Sequence, residues 1–143
     1  MKYLFDSSVL IAAFLEQHPM HTRAFPWLKK AKTGEIQWIV AGHSIAEVYS
    51  VLTTLPVSPK ISPTMVWKLI NENIPTQIII SLTTSEYLST IKNLSKEGFS
   101  GGSIYDALID KVGAKSKVDK ILTFNIKHFK RISTLGKENI ISP

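Results

Sequence analysis

Three carboxylates recur at one kind of place in the 143-residue chain: Asp6 in Phe5-Asp6-Ser7-Ser8, Glu47 in Ser44-Ile45-Ala46-Glu47, and Asp106 in Ser103-Ile104-Tyr105-Asp106. Each stands at or near a helix start, with apolar neighbours on at least one side. An unpaired carboxylate in such surroundings is costly to bury, and basic residues are scarce around all three, with only Lys2 close to Asp6 in sequence. Clustered carboxylates also raise one another's pKa unless a cation neutralises them. The chain has no cysteine, which excludes disulfides, thiolate zinc sites and a cysteine nucleophile. Oxygen-only ligands suit Mg²⁺ or Mn²⁺, and such an ion polarises a phosphate and activates water. A local reading competes with this one. Asp is a good N-cap, Ser44-x-x-Glu47 has the form of a capping box, Ser103-x-x-Asp106 has the same shape with a shorter acid, and acids in a first helical turn gain from the helix dipole.

The elements that must position these acids alternate along the chain. Tyr3-Leu4-Phe5 predicts a short strand ending at Asp6, and Val9–Leu15 a buried helix. Met20–Lys32 carries Ala24, Trp27, Leu28 and Ala31 at helical spacing and ends at Gly34; Ile36–Ala41 reads as a strand, and Gly42-His43-Ser44 opens a helix over Ile45–Leu52. Three prolines in Leu55–Pro63 predict a connection outside regular structure, and Ser62-Pro63 then starts a helix through Met65, Val66, Leu69 and Ile70. Thr76–Leu82, β-branched at consecutive positions, is the clearest strand and is expected inside the sheet, buried on both faces. A helix follows from Thr84-Ser85-Glu86 to Gly98, then the Gly101-Gly102-Ser103 turn and a helix over Ile104–Ala114. Asp119–Phe124 gives a strand, Asn125–Phe129 a short helix and Ile140-Ile141 a terminal strand. This alternation predicts one α/β domain over residues 1–143, with a parallel sheet between helices. In such sheets ligands sit outside the carboxyl ends of the strands, where Asp6 falls. Trp27, Trp38 and Trp67 sit in periodic apolar segments and are expected in the core or in subunit contacts.

The formal charge is +6, with 17 Lys and Arg against 11 Asp and Glu, and all of it lies in residues 111–143. A basic surface favours a polyanion such as RNA or DNA; lysines on late helices are equally a solvated face. No apolar run approaches the roughly 20 residues of a membrane span, and the start does not read as a signal peptide. A soluble, cytoplasmic protein is expected.

Leu4-Phe5-Asp6-Ser7-Ser8-Val9-Leu10, Ala46-Glu47-Val48, Ile104-Tyr105-Asp106-Ala107-Leu108-Ile109 and Ile121-Leu122-Thr123-Phe124-Asn125-Ile126-Lys127-His128-Phe129 resemble, in order and spacing, the motifs of the PIN domain family. In a chain of this length they look most like the VapC-type toxins of prokaryotic toxin–antitoxin pairs. The resemblance implies a three-layer α/β/α sandwich and an Mg²⁺- or Mn²⁺-dependent endoribonuclease that cleaves RNA by a metal-activated water. It also implies a homodimer inhibited by a small antitoxin. Asp6, Glu47 and Asp106 match the acids that would hold the metal, and Ser8 a polar position supporting them. Asn125 stands where the family often has a fourth acid; its amide oxygen can ligate or orient water but supplies no charge.

Asp110, four residues after Asp106 and on its helix face, either replaces that charge or pairs with surface lysines. Thr123 either bonds a site water or packs in its strand, and His43 either shares the face of Glu47 as a ligand or caps the turn. Lys127, His128, Lys130 and Arg131 are the expected contacts to the RNA backbone. Two other functions remain open on the sequence: a non-catalytic RNA- or partner-binding module of the same fold, and an rRNA- or tRNA-processing nuclease without an antitoxin.

Overall fold

Alternating side chains of three short apolar runs face two separate cores. In the computed structural model, which describes residues 1–143, the strands are β1 (Lys2–Phe5), β2 (Gln37–Ala41), β3 (Ile79–Ile80), β4 (Lys120–Leu122) and β5 (Ile140–Ile141). All neighbours pair in parallel, in the order β3-β2-β1-β4-β5. The helices are α1 (Ser7–Phe14), α2 (His21–Lys32), α3 (Gly42–Thr54), α4 (Pro63–Asn73), α5 (Thr84–Glu97), α6 (Ser103–Lys115) and α7 (Ile126–Ile132). Phe5, Trp38, Val40 and Leu122 point to one face, against Val9 and Leu10 of α1, Leu28 of α2, Val48 and Leu52 of α3 and Val66 of α4. Leu4, Ile39, Ala41 and Ile121 point to the other, against Ile109 and Val112 of α6 and Phe129 of α7. The period of two along each strand thus builds a three-layer α/β/α sandwich around β1.

The run Thr76–Leu82 is a correction to the sequence expectation. After Pro75, Thr76–Ile78 forms a 3₁₀ turn, and only Ile79-Ile80 pairs, with Val40 and Ala41, at the edge of the sheet. No strand lies beyond it, so its apolar residues cover the two cores as a rim: Ile78 and Ile79 on one face, Ile80 and Leu82 on the other. Trp38 is buried and Trp27 packs edge-on against Tyr3, but Trp67 is 60% exposed and is no core residue. Residues 55–62 lack regular structure as expected, and Ser62 caps α4 by accepting the Met65 N–H at 3.1 Å.

Strand β1 is the point where the strand order reverses, with β2 and then β3 to one side and β4 and then β5 to the other. A crevice opens at the carboxyl ends of strands at such a reversal. Its floor is fixed by the Asp6 N–H donating to the Leu122 carbonyl at 3.0 Å and the Thr123 N–H donating to the Ile141 carbonyl at 2.9 Å.

Candidate active site

Asp6 occupies the N-cap position of α1, yet its side chain caps nothing. Its carboxylate, 2% exposed, turns instead toward the end of β4: Oδ2 accepts from Ser8 Oγ at 2.7 Å and from Thr123 Oγ1 at 2.8 Å. Each hydroxyl is itself pinned. Ser8 Oγ accepts the Phe124 N–H at 3.1 Å, and Thr123 Oγ1 accepts the Asn125 N–H at 2.9 Å. The turn from β4 into α7 is therefore folded around the Asp6 carboxylate. Ser8 and Thr123 donate hydrogen bonds to Asp6 and so orient that carboxylate.

The capping readings of the other two acids fail in the structure. α3 begins at Gly42 with Ala41 as N-cap, which makes Ser44 an interior residue whose buried Oγ has no partner. α6 has Gly102 as N-cap and no side-chain cap. The one capping box is Thr83 with Glu86 at the start of α5.

Glu47 approaches Asp6 through Ser7, a residue that sequence reasoning passed over. Ser7 Oγ lies 3.3 Å from Glu47 Oε2 and 3.5 Å from Asp6 Oδ1, bridging the two acids. The second Glu47 oxygen, Oε1, is buried and accepts no hydrogen bond; His43 Nε2 stands 3.3 Å away without the alignment of one. Asp106, in the first turn of α6, has His128 Nδ1 3.9 Å from its Oδ2. Burial pushes the Glu47 carboxyl up to about 7, with further upward pressure from Asp6 and Asp106 against a lowering by the Ser7 hydroxyl. Asp106 is pushed up to about 6 by burial and then by Asp6, with His128 opposing.

These shifts fix a sign for stability. Both folded-state values lie above ordinary carboxylate values, so the stability they carry is present below about pH 4 and is lost as pH rises through 6 and 7. After discounting for partial exposure, the loss is about 2 kcal/mol. The melting temperature of the EDTA-treated protein is expected to fall by about 5 °C from pH 5 to pH 8 in thermal melts. A profile that rises over that interval would mean that Glu47 and Asp106 are neither buried nor pressed by Asp6 as described.

Asn125 is the N-cap of α7, exposed, and its side-chain amide makes no hydrogen bond within the fold. Asp110 does not join the cluster and does not pair with a surface lysine: it is 3% exposed and accepts Ser133 Oγ, the Thr134 N–H and Thr134 Oγ1 at 2.6, 3.0 and 3.0 Å. On α7, His128 and Arg131 line a cavity of about 250 Å³ with Ser100, Gly102, Ser103 and Asp106, while Arg131 lies over the Phe99 ring. Lys127 borders Asn125 on another side, and Lys130 is exposed. The rest of the basic tail is dispersed. Lys115 is paired with Glu86 at 2.8 Å, and Lys120 ties β4 to the Glu138 carbonyl and Asn139.

The donor chemistry suits a hard divalent cation. Asp6, Glu47 and Asp106 present oxygen only, no lysine or arginine pairs with any of them, and Glu47 Oε1 is a buried acceptor without a donor. As placed, the cluster is open: no three acid or imidazole groups stand around one point at ligating reach.

The PIN domain family model matches residues 3–135 of the chain. Among curated relatives, Ribonuclease VapC27 of Mycobacterium tuberculosis is 29% identical over 114 residues, spanning 80% of this chain and 78% of its own length. Ribonuclease VapC40 of the same organism is 30% identical over 122 residues, 85% of each chain. In fold, the chain matches VapBC2 from Rickettsia felis bound to a DNA fragment from their promoter, with a TM-score of 0.69 at 18% identity over 100% of this chain and 99% of that one.

Proposed function

The chain belongs to the PIN domain family, and from that premise we propose that it is a metal-dependent endoribonuclease acting as the toxin of a type II toxin–antitoxin pair. The observation that carries this reading is that Asp6, Glu47 and Asp106, from three separate segments, lie near enough at the carboxyl ends of the central strands to raise one another's pKa, with no lysine or arginine to balance them, though they do not close around one point. Relatives named as ribonucleases support it. The three acids would hold Mg²⁺ or Mn²⁺, which when bound supplies charge neutralisation, Lewis acidity toward a phosphodiester and a water acidic enough to attack it near neutral pH.

The chain's own residues do the positioning. Asp6 is held against rotation by Ser8 and Thr123, so its free edge keeps one direction. Asn125, whose main-chain N–H donates to Thr123 Oγ1, carries a side-chain amide with no partner in the fold, which would orient water. His128 and Arg131 line the cavity next to Asp106 and would hold substrate phosphate, with Lys127 and Lys130 adding charge along α7. A small antitoxin partner is supported by the Rickettsia felis assembly, and a homodimer would cover exposed apolar residues such as Met65 and Trp67. No helix is long and apolar enough to cross a membrane; a cytoplasmic, single-domain protein fits this reading.

The test is cleavage of 5′-labelled single-stranded RNA by the purified protein. Discrete products are expected with Mg²⁺ or Mn²⁺, their loss in EDTA and their return on adding Mn²⁺. A calorimetric heat of Mn²⁺ binding is expected in the native chain and absent in Asp106→Asn. Cleavage that survives EDTA, or no cleavage of any RNA, overturns the reading.

A further inference from the structure

Two aromatic residues beside the acids are unaccounted for by the chemistry above. His43, in the first turn of α3, and Tyr105, in the first turn of α6, lie with ring centroids 5.0 Å apart and planes within 3° of parallel. The other aromatic pairs of the molecule are tilted by 29° to 62°. His43 Nε2 stands 3.3 Å from Glu47 Oε1, and Tyr105 directly precedes Asp106. Tyr105 is nevertheless 51% exposed, and its hydroxyl has no hydrogen-bond partner in the protein. A tyrosine that served packing alone would bury its ring and bond its hydroxyl. This one keeps one face against His43 and shows the rest to solvent.

We propose that Tyr105, backed by His43, is a stacking platform for a nucleobase of single-stranded RNA whose phosphate lies at the acid cluster. The proposal rests on the ribonuclease reading and adds to it the part of the substrate that is gripped. A nucleotide joins a flat base to a phosphate, and here the His43 ring behind Tyr105 has its Nε2 3.3 Å from Glu47 Oε1, so a base on the Tyr105 ring brings its own phosphodiester to the acid cluster. Bases in a duplex are stacked on each other and closed to such a ring, whereas unpaired bases in loops and ends are open to it. Every base has a π-face, so the platform selects strand state more than sequence.

The experiment compares native protein, Tyr105→Ala and Tyr105→Phe. Binding of a fluorescent single-stranded RNA is read by anisotropy in EDTA, and cleavage of the same RNA in Mn²⁺ is read as KM and kcat. Tyr105→Ala is expected to weaken binding by about tenfold and to raise KM by a similar factor. Tyr105→Phe, which restores the ring without the hydroxyl, is expected to recover most of that loss. In the native protein, RNA with one abasic nucleotide beside the cleaved phosphate should show the same deficit, and Tyr105→Ala should add nothing to it. Native-like binding by Tyr105→Ala in a protein that cleaves RNA overturns the platform and leaves the ribonuclease reading intact. Equal losses in Tyr105→Ala and Tyr105→Phe also overturn it, because the hydroxyl would then be what matters. Native protein that neither binds nor cleaves RNA overturns the ribonuclease reading, and the platform with it.

Discussion

Asp6→Asn is expected to lower the initial rate of RNA cleavage in saturating Mn²⁺ by about a thousandfold or more, equivalent to about 4 kcal/mol of transition-state stabilisation, and to leave the fold intact. The amide is the same shape as the carboxylate, and its oxygen can still accept the Ser8 and Thr123 hydroxyls that meet at Oδ2. What disappears is the negative charge, and that charge pushes the Glu47 and Asp106 carboxyls upward. Thermal melts of the EDTA-treated variant at pH 8 should therefore show a melting temperature above that of the native chain, because a repulsion has been removed. A dead enzyme that is more stable without metal is the signature of an acid kept for chemistry. If Asp6 mattered only as the first residue before α1, the substitution would leave cleavage within about tenfold, since Asn and Asp are comparable N-caps.

How much of this was legible in the sequence depends on whether a feature is local or set by tertiary neighbours. The unit Phe5-Asp6-Ser7-Ser8 could be read because apolar run, acid and helix lie within ten residues, and the structure places Asp6 at the end of β1 as that pattern requires. The run Thr76–Leu82 could not, because an edge strand and an interior strand share the same β-branched composition; whether another strand lies beyond is decided elsewhere in the chain. Ser7 gave no signal apart from its hydroxyl. Its bridge between Asp6 and Glu47 exists only once α1 and α3 are packed side by side. The +6 of the tail was legible as a number but not as a surface, since Lys115 and Lys120 are spent inside the fold, and on α7 only His128 and Arg131 line the cavity beside Asp106.

Asp110 marks the limit of helical spacing as evidence. Four residues advance a helix by roughly 40° beyond a full turn, enough to carry Asp110 from the rim occupied by Asp106 to a buried place under residues 133–135. There it accepts three hydrogen bonds, and Ser133 Oγ, which donates to it, accepts the Leu135 N–H at 3.1 Å. This carboxylate fixes the connection that leaves α7 and returns the chain to pair Ile140 and Ile141 with β4. Asp110→Ala strands the Thr134 N–H and two hydroxyls without their acceptor. The expected cost is about 3 kcal/mol, a fall of about 10 °C in melting temperature. Cleavage per folded molecule, measured at low temperature in Mn²⁺, should stay within about threefold of the native chain, the opposite of Asp6→Asn on both readouts. A thousandfold loss of cleavage with an unchanged melting temperature would instead return Asp110 to the acids proposed to hold a metal, and would mean that the loop after α7 is held by something other than the bonds described.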